Sequence, residues 1–238
     1  MFENFQLLAY GDTGWGDELV TGLGVTLLLA FVTVPFALAF SFLIAWAKES
    51  SLRPVRVFGN VYTTIFRSLP EILTLLIVYF QLQIIIDWIT SFISPNLKLS
   101  ISPFVAGVLT LTLVISALGS EVVRAAYNAV PKGQREAGDS IGLSKRKSFF
   151  LIILPQMWPH MLPAFGNLWL ILLKDTSLVS IIALSELVNF TEKAIATTKQ
   201  PFFFYIVLAG IFVTLAFLSS RGQMALEKHV NRNLIEER

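Results

Sequence analysis

Charged residues are scarce in this chain of 238 residues, where they make up 14% of the total. Soluble domains usually contain about 25% charged residues. Hydrophobic residues account for 55% of the chain. This imbalance excludes a soluble globular protein and predicts an integral membrane protein with several spans and no large soluble domain. The formal net charge of only +2 gives no indication of nucleic-acid binding.

Cysteine is absent, and histidine occurs only as His160 and His229. The absence of cysteine excludes disulfides, thiol catalysis and cysteine metal sites. Two isolated histidines are too few for a histidine metal site. The sequence has no Ser/His/Asp arrangement, no cofactor motif and no GxxxxGK[S/T] phosphate-binding loop. We therefore expect no catalytic residues, no metal and no cofactor on this chain.

Long apolar runs are the dominant feature, and five of them reach the roughly 20 residues that a membrane-spanning helix needs. They are residues 19–47, 57–89, 99–120, 161–184 and 201–220. The runs are continuous rather than alternating, which excludes β-barrel strands. No lysine or arginine precedes Lys48, so the basic region of a signal peptide is missing and the N-terminal segment is expected to stay attached.

Lysine and arginine are unevenly distributed between the spans. They gather in the first and third loops and in the C-terminal tail, whereas the N-terminal segment has none and the second loop has only Lys98. The positive-inside rule places the basic segments in the cytoplasm. The sequence therefore predicts an all-α polytopic protein of five transmembrane helices. Residues 1–18 would lie outside, residues 19–220 would form the membrane domain, and residues 221–238 would form a cytoplasmic tail.

The third loop, residues 121–147, is too polar to cross a membrane. It is predicted to form short helices over residues 121–128 and 134–140, with a break at residues 130–133. Pro131 suits a helix start, and Gly142 suits a left-handed C-terminal cap. Such a capped helix would act as a rigid lever that seats in a groove on a partner. On charge alone, a solvated connector is an equal alternative.

The spacing around this loop is specific. Glu136-Ala137-Gly138 is followed after three residues by Gly142, and after nine more by Ile152-Ile153-Leu154-Pro155. This pattern resembles the cytoplasmic loop with which the permeases of bacterial ABC importers grip their ATPase. Gly138 stands where many members have alanine, which keeps a small residue. Three further stretches extend the resemblance: residues 66–70 (FRSLP), residues 121–125 (EVVRA) and residues 173–178 (LKDTSL).

The chain is similar to the polar amino acid family of type I ABC importers, and in particular to the permeases for histidine, lysine, arginine, octopine and nopaline. The resemblance implies a bacterial inner-membrane protein that pairs with a sister permease, identical or not. Two ATPase subunits, which hold ATP and Mg, would lie beneath the pair, and a periplasmic binding protein would deliver the solute. The implied ATPase-coupling residues are Pro131, Lys132, Gly133, Arg135, Glu136, Ala137, Gly138, Gly142 and Pro155.

Ionisable residues inside a membrane span are costly and are candidates for function. Lys174 and Asp175 interrupt the fourth span, and Thr176 adds a hydroxyl beside them. If the helix begins near Met161, they lie roughly 20 Å into it. An aspartate that faces a cavity could bind the guanidinium or ammonium group of a basic solute. The alternative is a structural partner in a neighbouring helix or in the sister subunit.

Arg67 and Glu71 interrupt the second span and are spaced to pair along one helix face. Pro70 lies between them and is expected to kink the helix or interrupt its hydrogen bonding. Arg67 could bind the carboxylate of an amino acid through two hydrogen bonds. The alternative is a locking pair near the cytoplasmic boundary.

Taken together, these features predict a permease subunit of an ATP-driven importer for a polar amino acid, basic by resemblance, or an opine. An ion-gradient-driven secondary transporter is the alternative, although no inverted repeat and no intramembrane acidic relay support it. A non-transporting membrane scaffold is a further alternative. The sequence identifies neither the solute nor the sister subunit, and import rather than export rests on the resemblance.

Overall fold

Helices account for almost all of the computed structural model, which describes residues 2–11, 14–93 and 99–235. Lys98 of the second loop and Arg238 of the basic C-terminal tail, both part of the charge argument, lie outside these ranges. Nine α-helices follow one another in the described residues. They are α1 (Gly16–Lys48), α2 (Arg53–Ser68), α3 (Glu71–Ile93), α4 (Pro103–Ala129), α5 (Lys132–Ser140), α6 (Lys145–Ser148), α7 (Leu154–Asp175), α8 (Leu187–Thr198) and α9 (Pro201–Ile235).

Five helical segments of the described chain are long and apolar enough to cross a membrane, which confirms the predicted all-helical fold with five spans. They are Gly16–Lys48, Glu71–Phe92, Pro103–Ala129, Lys145–Ile182 and Pro201–Val230. The fourth is composite, since α6 and a π-helical turn (Phe149–Ile153) precede α7 and a 3₁₀ segment (Thr176–Ile182) follows it.

Helix α1 packs along α4 through small residues. A Cβ on Gly119 of α4 would collide with the Ser41 hydroxyl of α1. Thr33 and Ser41 are fully buried and donate their hydroxyls to carbonyls one turn back, at 2.7 Å and 2.6 Å. Small residues and internally satisfied hydroxyls allow helix backbones to approach closely inside a membrane, where no hydrophobic force drives them together.

The second predicted span, residues 57–89, is wrong as a single helix. It consists of α2 and α3, and only the segment Glu71–Phe92 is a membrane-spanning candidate. Leu69 has extended backbone angles between the two helices, with φ −85° and ψ 138°. The cause is Pro70, which lacks an N–H and disfavours the helical conformation at the residue before it. The expected interruption of hydrogen bonding at Pro70 is thus confirmed.

The other predicted boundaries also shift. Helix α4 continues to Ala129, so residues 121–128 are not a separate helix. Helix α7 begins before Met161 and ends at Asp175, so Lys174 and Asp175 lie in its last turn rather than in its interior. The hydroxyl of Thr176 donates to the Leu173 carbonyl at 2.7 Å, and that of Ser177 to the Lys174 carbonyl at 2.6 Å. Side chains that take up carbonyls three residues back accompany the tightening of the chain into a 3₁₀ segment.

Candidate functional site

Helix α5 projects a polar surface from the membrane domain. Glu136 and Ala137 are exposed, as are Lys132 and Gly133, and Gly138 is the one buried residue of the nine in the helix. Pro131 directly precedes the helix, which begins at Lys132 rather than at Gln134 as predicted. Gly142 has φ +74°, which confirms the predicted left-handed cap. Leu143 N–H donates to the Gly138 carbonyl at 3.1 Å and Gly142 N–H to the Asp139 carbonyl at 3.0 Å, the paired bonds of a Schellman cap.

Gly138 is the point at which α5 rests on the next segments of the chain. A Cβ at this position would lie 2.6 Å from the Ser148 hydroxyl oxygen and 3.2 Å from Cδ1 of Ile152. The absence of a side chain therefore lets α5 lie directly on the start of the fourth span. Movement of α5 is thereby linked mechanically to the helix that ends at Asp175.

Two further contacts fix α5 in place. The guanidinium of Arg135 lies over the Tyr127 ring, 3.8 Å from its centroid, and donates to the Tyr127 carbonyl at 2.6 Å. Gln156 of α7 donates to the side-chain oxygen of Gln134 at 3.2 Å. Pro155 lies in the first turn of α7, where its missing N–H leaves no helical bond unmade. Arg135 therefore braces α5 against the end of α4 rather than facing away from the membrane domain.

The predicted intramembrane residues come together where α7 ends. Lys174 is exposed, Asp175 is partly buried, and Thr176 is fully buried with its hydroxyl donated to the chain. The Oδ2 atom of Asp175 is buried and has no hydrogen-bond partner in the described part of the chain. Glu71, the first residue of α3, lies close enough for its charge to interact with that of Asp175. We call Glu71 and Asp175 the acidic cluster; Lys174 flanks it.

Arg67 and Glu71 do not form the predicted pair. The extended backbone at Leu69 removes the helical register between them, and none of the ion pairs among the described side chains joins them. Arg67 instead contacts Glu121 of α4, with 3.4 Å between Nη1 and Oε1. The structure thus divides the predicted solute residues, because Glu71 joins Asp175 whereas Arg67 belongs to a second group of charges.

This second group surrounds a cavity of about 580 Å³ between the ends of α1, α2 and α4. We call it the cationic cavity; its charged lining is Lys48, Arg67, Glu121 and Arg124. The side chain of Lys48 is only 3% exposed and binds both Glu121 and the Thr63 hydroxyl. The sequence analysis treated Lys48 only as a loop charge. The available signal was its position as the first basic residue, directly after a long uncharged run.

Glu186 is a second residue whose role was not predicted from the sequence. It is fully buried at the start of α8, where it accepts the Asn189 N–H at 3.0 Å and the Thr26 hydroxyl at 3.1 Å. Burial raises the pKa of this carboxyl above its ordinary value, and the hydrogen bonds from α8 and Thr26 oppose that rise. Glutamate is not among the residues that favour an N-cap position, so the sequence carried no recognisable signal for this role.

These features define a class of protein. A membrane transport subunit that is driven by a partner protein combines three features that are present here. They are the five membrane spans, a rigid capped helix outside them, and unpartnered charge between the helices. The chain belongs to the family of binding-protein-dependent transport system inner membrane components, whose model matches residues 26–232. It is therefore a multi-pass inner-membrane permease subunit of an ABC importer, as predicted, and not a secondary transporter.

Several relatives match over most of their length. The nopaline transport system permease protein of Agrobacterium fabrum is 38% identical over 235 residues, covering 96% of this chain and 97% of that protein. The arginine ABC transporter permease protein of Escherichia coli K12 is 38% identical over 213 residues, with coverages of 84% and 90%. The histidine/lysine/arginine/ornithine transport system permease protein of Salmonella typhimurium is 33% identical over 215 residues, with coverages of 90% and 94%.

Solved structures agree with the fold. A crystal structure of an amino acid ABC transporter with histidines matches with a TM-score of 0.76 and 28% identity, covering 90% of this chain and 95% of that one. An inward-facing methionine ABC transporter matches with a TM-score of 0.68 over 89% of this chain and 95% of that one. Its identity of 17% supports the fold alone.

Proposed function

We propose that this permease subunit imports a basic amino acid or an opine, and that the acidic cluster binds the cationic end of the solute. The similar permeases carry names for nopaline, for arginine and for histidine, lysine, arginine and ornithine. Nearly all of these solutes carry a guanidinium or amino group on a side chain. The names of the similar permeases and the charge complementarity between these solutes and the acidic cluster therefore both support this solute class.

The observation that carries the proposal is the unpartnered carboxylate oxygen of Asp175. A buried carboxylate without a partner is unfavourable unless something binds it. Glu71 adds a second negative charge nearby, and Lys174 offsets only one of the two. A guanidinium or ammonium group would supply the missing charge and the missing hydrogen bonds. Thr176, whose hydroxyl is held by the Leu173 carbonyl, would shape the site through its position.

Substitution of Asp175 tests the solute site. Asp175→Asn keeps the size of the side chain and removes its charge, and it should raise the half-saturating concentration for uptake of L-arginine, L-lysine or nopaline about tenfold or more. Asp87→Asn, the same change on the exposed surface of α3, is the matched control. Unchanged uptake kinetics in a folded Asp175→Asn complex would refute the site. No uptake of any of these solutes by the wild type would refute the solute class.

We also propose the remaining assembly. The α5 side faces the cytoplasm, where two ATPase subunits hold ATP and Mg, a sister permease completes the pathway, and a binding protein docks on the opposite side. Glu136, which is exposed on α5, would pair with a basic residue in the ATPase groove. Residues 1–18, 19–220 and 221–238 would keep their predicted places outside, within and inside the membrane.

Charge reversal on α5 tests the coupling. Glu136→Arg should abolish co-purification of the ATPase and ATP-driven uptake while leaving membrane insertion intact. Glu192→Arg makes the same charge change on the exposed face of α8, away from α5, and serves as the control. Normal ATPase binding and normal uptake by Glu136→Arg would remove the coupling role of this helix.

A further inference from the structure

The charges around the cationic cavity do not balance. Lys48, Arg67 and Arg124 supply three positive charges, and among the described side chains the ion pairs that they form involve only Glu49 and Glu121. Arg124 donates to Glu49 at 2.8 Å and lies 3.7 Å from Glu121. One positive charge is therefore uncompensated within a cavity of about 580 Å³, which is large enough for a small anionic group.

Arg67 is the cation with donors to spare. Its side chain is 50% exposed, and its single ion-pair contact, with Glu121, is 3.4 Å long. Lys48 is 3% exposed and is held by Glu121 and Thr63, so it is committed to the protein. A guanidinium presents up to five N–H donors in a planar fork that matches an oxyanion. The cavity thus offers a carboxylate or phosphate one open guanidinium, that of Arg67, because Lys48 is occupied by Glu121 and Thr63.

The cationic cavity and the acidic cluster are adjacent along the chain. Arg67 is in the last turn of α2 and Glu71 is the first residue of α3, with only Ser68, Leu69 and Pro70 between them. A negative site and a positive site therefore lie on either side of one helix break. Amino acids with basic side chains carry the complementary pattern, a cation at one end and a carboxylate at the other.

We propose that the cationic cavity is a second solute station, which binds the carboxylate of the amino acid or opine on the α5 side of the acidic cluster. This inference rests on the proposed function. The solute then crosses with its carboxylate leading towards α5. Its carboxylate replaces Glu121 at Arg67, and Lys48 retains Glu121, so that the displaced carboxylate never becomes an unpaired charge.

Binding of L-arginine and of agmatine, which is arginine without its carboxylate, tests the station directly. The complete complex is placed in phosphatidylcholine nanodiscs without binding protein, and both compounds are measured by equilibrium dialysis. The wild type should bind L-arginine roughly tenfold more tightly than agmatine. Arg67→Gln should lower L-arginine affinity to the agmatine level and leave agmatine affinity unchanged, whereas Asp175→Asn should weaken binding of both.

A second variant guards against simple misfolding. Lys48→Met combined with Glu121→Gln preserves the net charge of the cluster, removes the buried ion pair and releases Arg67. Replacement of a buried ion pair by neutral groups of similar size is often tolerated. This double variant should bind L-arginine at least as tightly as the wild type, because Glu121 no longer competes for Arg67.

The outcomes separate the two proposals. If the wild type binds neither compound nor any other basic amino acid or opine, the proposed function fails. Equal affinities for L-arginine and agmatine, with Asp175→Asn still weakening both, would overturn only the second station. An anionic lipid headgroup offers similar oxyanion chemistry. Selective retention of phosphatidylglycerol that Arg67→Gln abolishes, without any effect on L-arginine, would likewise overturn it.

Discussion

At the scale of single residues, Gly138 shows how a family pattern gains a physical reason. From the sequence, the only requirement on residue 138 is that it be small. The structure brings its Cα so close to Ser148 that even a methyl group would lie 2.6 Å from the serine oxygen. Real Cβ atoms essentially never show so short a contact, so a side chain here requires either that the Ser148 hydroxyl turns away or that α5 shifts from the fourth span.

Gly138→Val should therefore reduce ATP-driven uptake at least tenfold and weaken ATPase association, because α5 no longer sits at its normal height. The measurement is uptake alongside co-purification of the ATPase. Gly222→Val is the matched control, since Gly222 of α9 has open space where a Cβ would be added. Normal uptake by Gly138→Val would contradict the close packing of α5 on Ser148.

Glu186 gives a prediction in pH. Because its pKa is raised in the folded chain, its stabilising contribution is fully present below the ordinary value of 4.5 and is lost as the pH rises through the folded pKa. Glu186→Gln cannot ionise and escapes that loss. The melting temperature of the variant relative to the wild type should therefore increase as the pH is raised from 4.5 towards neutral.

A constant difference between Glu186→Gln and the wild type is also expected, since glutamine replaces the carboxylate that caps α8 and accepts the Thr26 hydroxyl. Only the slope with pH reports ionisation. Thr197→Ser, an exposed change on the same helix that alters no ionisable group, should show no such slope. Parallel melting curves for Glu186→Gln and the wild type across this range would exclude a titrating Glu186.

At the scale of elements, α5 is held in place by contacts at three points. Gly138 rests on Ser148, Arg135 stacks on Tyr127, and Gln134 is bound by Gln156. The helix has nine residues, which is too short for stability on its own in water. Its rigidity therefore comes from these tertiary contacts and from the Gly142 cap.

Arg135→Lys should weaken the attachment of α5 to the end of α4 without removing a charge. A lysine loses the planar stacking on Tyr127, an interaction of about 1 kcal/mol at a partly exposed site. We expect uptake per ATP hydrolysed to fall severalfold while ATPase subunits still bind. Arg146→Lys on the exposed face of α6 is the control. Loss of ATPase binding itself would instead indicate that Arg135 contacts the partner directly.

The break between α2 and α3 is the other decisive element. Pro70 and the pre-proline geometry of Leu69 were readable in the sequence, because proline acts on its nearest neighbours. Their consequence was not readable. Breaking the helix there moves Arg67 away from Glu71 and into contact with a residue 54 positions later in the chain.

At the scale of the whole molecule, orientation in the membrane is still a prediction. The absence of cysteine makes it directly testable, because a single introduced thiol is the only one that can react. A membrane-impermeant maleimide should label Thr197→Cys on α8 in intact spheroplasts. It should label Lys228→Cys on α9 only after the membrane is disrupted. Both native residues are exposed. The opposite labelling pattern would invert the topology and place α5 outside the cell.

The membrane class, the number of spans, the capped polar helix and the family can all be read from the amino-acid sequence alone. Each of these depends on contiguous residues: apolar runs, a proline or glycine at a boundary, and fixed spacings within one loop. The limits of the spans differ from the predicted ones where side chains compete for backbone hydrogen bonds. This happens at the end of α7, where carbonyls accept hydrogen bonds from the hydroxyls of Thr176 and Ser177.

Which charges meet depends on the packing of the helices and cannot be read from the sequence. Glu121 binds Lys48 across 73 residues of chain, and Glu186 binds Thr26 across 160. Asp175 lies near enough to interact with the charge of Glu71, and α3 packs against the 3₁₀ segment that directly follows Asp175. Such partners depend on how helices pack, and packing depends on small residues such as Gly119 whose neighbours a linear pattern does not name. The cationic cavity and the acidic cluster therefore arise from the arrangement of the helices, whereas the helices themselves are determined by the local sequence.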